Sequence, residues 1–272
     1  MEKGRSSVMS GMFLKPLTIE EAVRMKSEYT GSLYLGGGTE INNPFSRSHG
    51  EVYISLEALN LKACVKGRNH YILGGSATFQ ELIDWDECYP PLREAALFLN
   101  SRNLRNQATL GGNLGAHLKD SYLVPILMVL DADVELGKGE ILPLVTYIEE
   151  ERRDLIINVR FSHNKGQAAV KNILRSAGGL SVLSVAVSLR TEKQKITKAA
   201  IAVSGLNHKI IRLSSVEEAL VAGTVKPGTE LEDAVKKAVI TASDLCGSAE
   251  YKKQLCGVTV QDCVDRCLEA SK

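Results

Sequence analysis

The chain has 272 residues, 44% hydrophobic and 24% charged, with a formal net charge of +1. That composition fits a soluble globular protein with enough apolar mass for a sizeable core in one or two domains. The near-neutral balance argues against nucleic acid as a partner. The longest apolar run, Leu123 to Leu130, is too short to span a bilayer and contains Pro125, so no membrane span is expected.

Residues 1–11, MEKGRSSVMSG, lack the apolar centre of a signal peptide and read as a flexible leader, with Met12 a candidate start and the cytoplasm the expected location. TIEE from Thr18 has the form of a capping box, in which Thr18 caps and Glu21 reaches back to the cap amide, and IEEAVRMKSEY follows as a helix. TFQE from Thr78 and SVEE from Ser215 repeat the device, and Gly223 is placed to close the last of these helices.

Strands are expected between these helices at SLYLGG, EVYISL, HYILGG and DADVELG. From Asp154, LIINVRF begins a second set. LSVLSVAVSLR and ITKAAIAVSG then read as long neighbouring strands of an antiparallel sheet, joined by the polar, hairpin-sized TEKQK. Short alternation of strands and helices therefore gives way to strands followed by helices. This is an α+β organisation whose border falls near Phe161 to Gln167, dividing residues 12–165 from 166–272.

Two glycine loops carry the chemistry. LGGGTEIN, Leu35 to Asn42, follows a strand, and ATLGGNLG, Ala108 to Gly115, is the other. Neither is a Rossmann fingerprint or a P-loop. Adjacent glycines leave amides uncovered, and successive amides converge on anions; Thr39, Thr109 and Asn113 add side-chain donors. Either loop alone also reads as a tight turn, whereas the pair favours a dinucleotide diphosphate. Six cysteines without a Cys-x-x-Cys pair read as free thiols, and no metal site is expected.

GGGTEI, SRNLRNQATLGGNLG and LVPILMVLDADVEL, in this order, resemble the FAD-binding subunit of the molybdenum hydroxylases, the family of xanthine dehydrogenase and its bacterial multi-subunit relatives. FLKPLTIEEAVRM, VKNILRSAGGLSVLSVAVSL and DLCGSAEYKKQL (Asp244 to Leu255) extend the resemblance from Met12 to the C-terminus. It is nearest to the stand-alone subunits that accompany selenium-dependent hydroxylases. The resemblance implies two small α/β FAD-binding subdomains of the FAD-linked oxidase (PCMH-like) type, split near residue 65, followed by an α+β C-terminal domain. Tyr34, Leu35, Gly36, Gly37, Gly38, Thr39, Glu40 and Ile41 would form the first pyrophosphate loop, and Thr109, Gly111, Gly112 and Asn113 the second. Leu99, Leu155 and Lys171 match further FAD-contacting positions.

One departure stands out. The family reads Ser-Pro-x-x-Asp-Leu-x-Pro after the second loop. Here HLKDSYLVP places Tyr122 at the position of the FAD-binding Asp, with Asp120 a candidate substitute two residues earlier and His117 extra. Read for themselves, His117 is a loop or solvated histidine rather than a base, and Arg102 and Arg105 a solvated helix end or a flavin or subunit contact. Tyr251 is a packing residue, and Glu40 a brace for neighbouring amides.

The implied function is electron transfer from iron–sulfur clusters through FAD to NAD or another acceptor. The implied partners are a small two-iron two-sulfur subunit and a large molybdenum-cofactor subunit. The alternatives are a stand-alone FAD oxidase and an assembly module without FAD.

Overall fold

The computed structural model describes residues 11–43, 46, 50–162, 166–176, 181–206 and 209–271. Residues 1–10 of the expected leader, the centre of the expected domain border and residues 177–180 of the VKNILRSAGGL stretch lie outside the described residues.

The N-terminal layer is a three-stranded parallel sheet of β1 (Met12–Leu14), β2 (Leu33–Leu35) and β3 (Val52–Ser55) in the order β1-β3-β2, with α1 (Ile19–Glu28) as the crossover. Thr18 caps α1 by accepting from the Glu21 amide at 3.1 Å. The other half of the expected box differs: Glu21 accepts from the Leu17 amide at 2.8 Å, one residue before the cap.

The second layer contains β4 (Cys64–Lys66), β5 (His70–Gly74), α2 (Phe79–Asp84), α3 (Pro90–Leu97), α4 (Arg102–Arg105), α5 (Leu110–Gly115), α6 (Leu123–Val129), β6 (Asp133–Leu136), β7 (Ile141–Pro143), α7 (Leu144–Glu149) and β8 (Ile156–Ser162). Its five strands are antiparallel in the order β4-β5-β8-β6-β7. The segment LIINVRF therefore completes the sheet of the first half, between β5 and β6, instead of opening the C-terminal set. Thr78 forms the full box on α2, accepting from the Glu81 amide at 3.1 Å while Glu81 accepts from the Thr78 amide at 2.8 Å.

The C-terminal part is a four-stranded antiparallel sheet, β12-β11-β10-β9, built from β9 (Gln167–Leu174), β10 (Ser181–Glu192), β11 (Lys195–Ser204) and β12 (Ile211–Arg212). The expected hairpin turns at Lys193 (φ 50°) and Gln194 (φ 64°), the paired left-handed residues of a tight hairpin turn made without glycine. Then follow α8 (Ser214–Ala222), α9 (Thr229–Ala238) and α10 (Ala249–Glu269). Gly223 ends α8 at φ 73°. The expected box at Ser215 does not form, because the cap falls two residues earlier, at Leu213, with Ser215 already inside the first turn. Nearby, buried Glu217 accepts from the Ile201 amide at 2.7 Å and from Arg212 at 2.8 Å.

Apolar residues are buried on both faces of β10. Val185, Val187 and Leu189 pack with Val260, Cys263, Val264 and Cys267 of α10, while Ala186 joins Ala200 and Ala202 in the core around α6. α6, LVPILMV, is buried on every side, as expected of a helix apolar all round; its proline sits in the first turn, where no helical amide bond is lost. Among the described residues, no helix is long and apolar enough to cross a membrane.

Candidate functional site

A cleft of about 580 Å³ opens between the two N-terminal layers. β2 delivers the first glycine loop to one side of it. The Asn42 amide donates to the Gly38 carbonyl at 2.9 Å and closes a single helical turn. This leaves the amides of Thr39, Glu40 and Ile41 without an acceptor among the described residues, as at any helical N-terminus. All three residues line the cleft. Positive φ falls at Gly38, at +70°.

The second loop is built differently. The Leu110 amide donates to Ala77 O at 2.8 Å, the Gly111 amide to Gly75 O at 2.7 Å and the Gly112 amide to Thr109 Oγ1 at 3.1 Å. Its amides are thus committed within the protein, so what it offers the cleft is side chains. The Thr109 hydroxyl accepts from Gly112 and its proton has no acceptor among the described residues. Ser121 Oγ donates to Asn113 Oδ1 at 2.6 Å, which turns the Asn113 amino group away from Ser121 as a free donor. Ser121 also accepts from the Val124 amide at 3.2 Å, which ties this arrangement to the start of α6.

Two of the glycines let other backbone come close. A Cβ on Gly37 would stand 1.5 Å from Gln107 O, and one on Gly111 would stand 2.8 Å from Gly75 O. The bare backbone at these two positions therefore admits other backbone. The resemblance places Gly37 in the pyrophosphate loop, and the structure brings Gln107 O against the face where its Cβ would stand.

Of the residues singled out in the sequence, the cleft gathers Tyr34, Gly36, Gly37, Gly38, Thr39, Glu40, Ile41, Leu99, Thr109, Gly111, Gly112, Asn113, Asp120 and Leu155. Leu35 and Lys171 are not among its lining residues. Lys171 is on β9, paired with Asp262 of α10. Asp120 and Tyr122, the two candidates at the family's Asp position, both line the cleft. The Glu40 carboxylate meets no amide among the described residues, so the expected brace is absent there.

Of the two expectations for His117, the structure meets the loop one: it lies in the turn after α5, with its ring packed. Its Nε2 lies 2.6 Å from Arg152 O, its ring stacks on Tyr147 at 5.4 Å, and its backbone is left-handed at φ 49°. Burial holds its pKa below the ordinary histidine value, with the Arg152 carbonyl opposing. Arg105 is a brace, donating to Leu99 O at 2.8 Å and Asn100 O at 2.9 Å, and it fixes the stretch that carries Leu99. Tyr251, expected to pack, is 51% exposed.

Several lining residues had no sequence signal. Tyr147, on α7, has a phenol pushed up by burial and by Asp154. Burial, with Asp154 adding to it, also pushes Tyr34 up to about 12, and burial with Asp120 raises Tyr122. All three phenols stay neutral at physiological pH and serve as hydrogen-bonding or packing surfaces. Lys26 and Arg153 add cations. Open amides, hydroxyl and amide donors, positive charge and aliphatic walls from Leu33, Leu56, Leu99 and Leu155 form one continuous surface. It suits a ligand with a diphosphate between two flat ring systems, and FAD fits on those grounds.

Comparison with known proteins agrees. Residues 7–161 match the family described as the FAD binding domain in molybdopterin dehydrogenase, and residues 168–267 the CO dehydrogenase flavoprotein C-terminal domain. The Escherichia coli K12 protein YgfM is 31% identical over 265 residues, covering 97% of this chain and 99% of YgfM. The nicotine 6-hydroxylase medium subunit of Paenarthrobacter nicotinovorans is 28% identical over 193 residues, 66% of each chain. Reconstituted CO dehydrogenase from Oligotropha carboxidovorans shares the fold, with a TM-score of 0.83 at 21% identity and 99% of both chains covered. The chain belongs to the FAD-binding domain family of molybdopterin dehydrogenases and is an FAD-binding flavoprotein subunit of the molybdenum hydroxylase type.

Proposed function

We propose that the chain is the electron-transfer subunit of a multi-subunit hydroxylase, passing electrons from iron–sulfur clusters of a small two-iron two-sulfur partner through bound FAD to NAD or another acceptor, while a large molybdenum-cofactor partner carries the substrate chemistry. The observation that carries this reading is the cleft itself: amides of Thr39, Glu40 and Ile41 without an acceptor among the described residues, together with the side-chain donors of Thr109 and Asn113. FAD supplies the redox chemistry when bound, and the chain supplies binding and orientation. The amides and the two side-chain donors would hold the diphosphate. Leu99 and Leu155 would pack on a ring system, and Asp120 or Tyr122 would provide the polar contact that the family takes from its Asp. Residues 12–165 would be the FAD-binding domain and residues 166–272 the C-terminal domain.

The name of the nicotine 6-hydroxylase relative, a medium subunit, supports the partnership. The test is purification of the tagged chain from its native cell under gentle anaerobic conditions. The expected result is co-purification of a small iron–sulfur protein and a large molybdoprotein, with FAD as the flavin released on denaturation. A chain that purifies alone and by itself turns over a substrate with NAD would end the subunit reading. Stoichiometric FMN would end the diphosphate reading.

A further inference from the structure

The charges along the cleft are unevenly placed. Its lining carries Lys26, Arg153, Glu40, Asp120 and Asp154. Asp154 is already committed, because its Oδ2 accepts from Arg152 Nε at 2.8 Å. Lys26, in the last turn of α1, donates to the Ser32 carbonyl and stands 5.4 Å from the centre of the Tyr34 ring. Tyr34 belongs to β2, the strand that feeds the first glycine loop. Burial lowers the Lys26 pKa, Arg153 lowers it further, and Asp154 opposes them. Lys26 and Arg153 both line the cleft, together with Thr39, Glu40 and Ile41 of the first glycine loop. Among the described residues, neither makes an ion pair with a carboxylate.

Like charges that line one cleft repel each other in the chain alone, and an anion bound between them offsets that repulsion. Resting on the FAD reading of the cleft, we propose that Lys26 and Arg153 are the charge partners of the cofactor's diphosphate, complementing the neutral amides of Thr39, Glu40 and Ile41. The amides fix where the phosphate oxygens lie, and the two side chains offset their charge. Lys26 is held for this by the Tyr34 ring and the Ser32 carbonyl, which limits the rotamer freedom lost on binding.

The test uses the full chain stripped of flavin, with Lys26→Met and Arg153→Met, which keep most of the aliphatic length and remove the charge. FAD affinity is read by flavin fluorescence at low and high salt, and ADP, adenosine and riboflavin are measured as competitors. Each variant is expected to weaken FAD and ADP about three- to tenfold at low salt, with the gap closing as salt rises, and to leave adenosine and riboflavin unchanged. Arg153 is exposed, so its variant tests the idea even if Lys26→Met perturbs the fold. Unchanged FAD affinity in Arg153→Met and in a folded Lys26→Met would overturn the proposal while leaving the cofactor reading intact. So would an adenosine loss equal to the ADP loss, which would place the cations at the nucleoside. A wild-type chain that takes up no FAD would overturn the cofactor reading first and this proposal with it.

Discussion

The two glycine loops look alike in sequence and do different work. In the first, Thr39, Glu40 and Ile41 line the cleft and their amides have no acceptor among the described residues. In the second, the amides of Leu110, Gly111 and Gly112 are all spent on Ala77, Gly75 and Thr109. Adjacent glycines therefore do not by themselves predict an anion site. Where each amide's hydrogen bond goes decides whether a loop recognises a ligand or holds another loop.

The contrast can be broken most forcefully at Gly37. A methyl there would meet Gln107 O, a backbone atom that moves only if the two segments separate. Gly37→Ala is expected to destabilise the flavin-free protein by about 3 kcal/mol and to abolish tight FAD binding as well. Urea unfolding of the flavin-free chain is the measurement. A variant with full stability and a loss confined to FAD affinity would return this glycine to the ligand.

The next largest effects should separate the loops' threonines. Thr109→Val removes the cap on the Gly112 amide, and the expected cost is about 1–2 kcal/mol of stability in addition to weaker FAD binding. Thr39→Val should stay within about 0.5 kcal/mol of wild-type stability, its effect falling on FAD affinity alone. Equal stability losses in the two would erase the proposed division of labour.

Asn113→Ala should weaken FAD binding by about 0.5–1.5 kcal/mol, the worth of one hydrogen bond. It also removes the acceptor of Ser121, so Ser121→Ala should reproduce part of the loss by releasing the Asn113 side chain. A flavin titration in which Ser121→Ala matches wild type would show that Asn113 needs no such orientation.

The smallest effect concerns His117, just past the C-terminal end of the helix that the second loop begins. Burial holds its folded-state pKa below 6.5. The unfolded chain therefore takes up the proton first as pH falls, and stability should decline below 6.5 until the folded-state pKa is passed, then level off. His117→Asn, which tolerates the left-handed backbone, should flatten that part of the stability–pH curve. Denaturant midpoints between neutral and mildly acidic pH would show an undiminished slope if another group is responsible.

Much of this was legible in the sequence, for identifiable reasons. The Thr78 box, the long hairpin and Gly223 are local signals, written within a few residues of where they act. The place of β8 depends on pairing with strands far away in the chain, so LIINVRF could be read as a strand but not assigned to its sheet. The same limit applies in the site. The glycine loops announced themselves, but the approach of Gln107 to Gly37 is a meeting of distant segments. Lys26 and Arg153 looked like ordinary polar surface because only the fold brings α1 and the approach to β8 to the same cleft. The pairing of Lys171 is hidden for a related reason: its partner, Asp262, comes from a helix near the C-terminus.

The burial of α6 on every side has a thermodynamic consequence. Its apolar residues share one continuous core with Ala186, Ala200 and Ala202 of the C-terminal sheet, and Ser121, which orients Asn113, accepts from the amide of its residue Val124. Ordering of the cleft wall and folding of the C-terminal sheet are therefore linked equilibria, and the occupied cleft should raise the unfolding temperature of the whole chain in a single transition. A fragment ending at the border between the two parts would expose the flank of α6 to water and lose the cleft along with it.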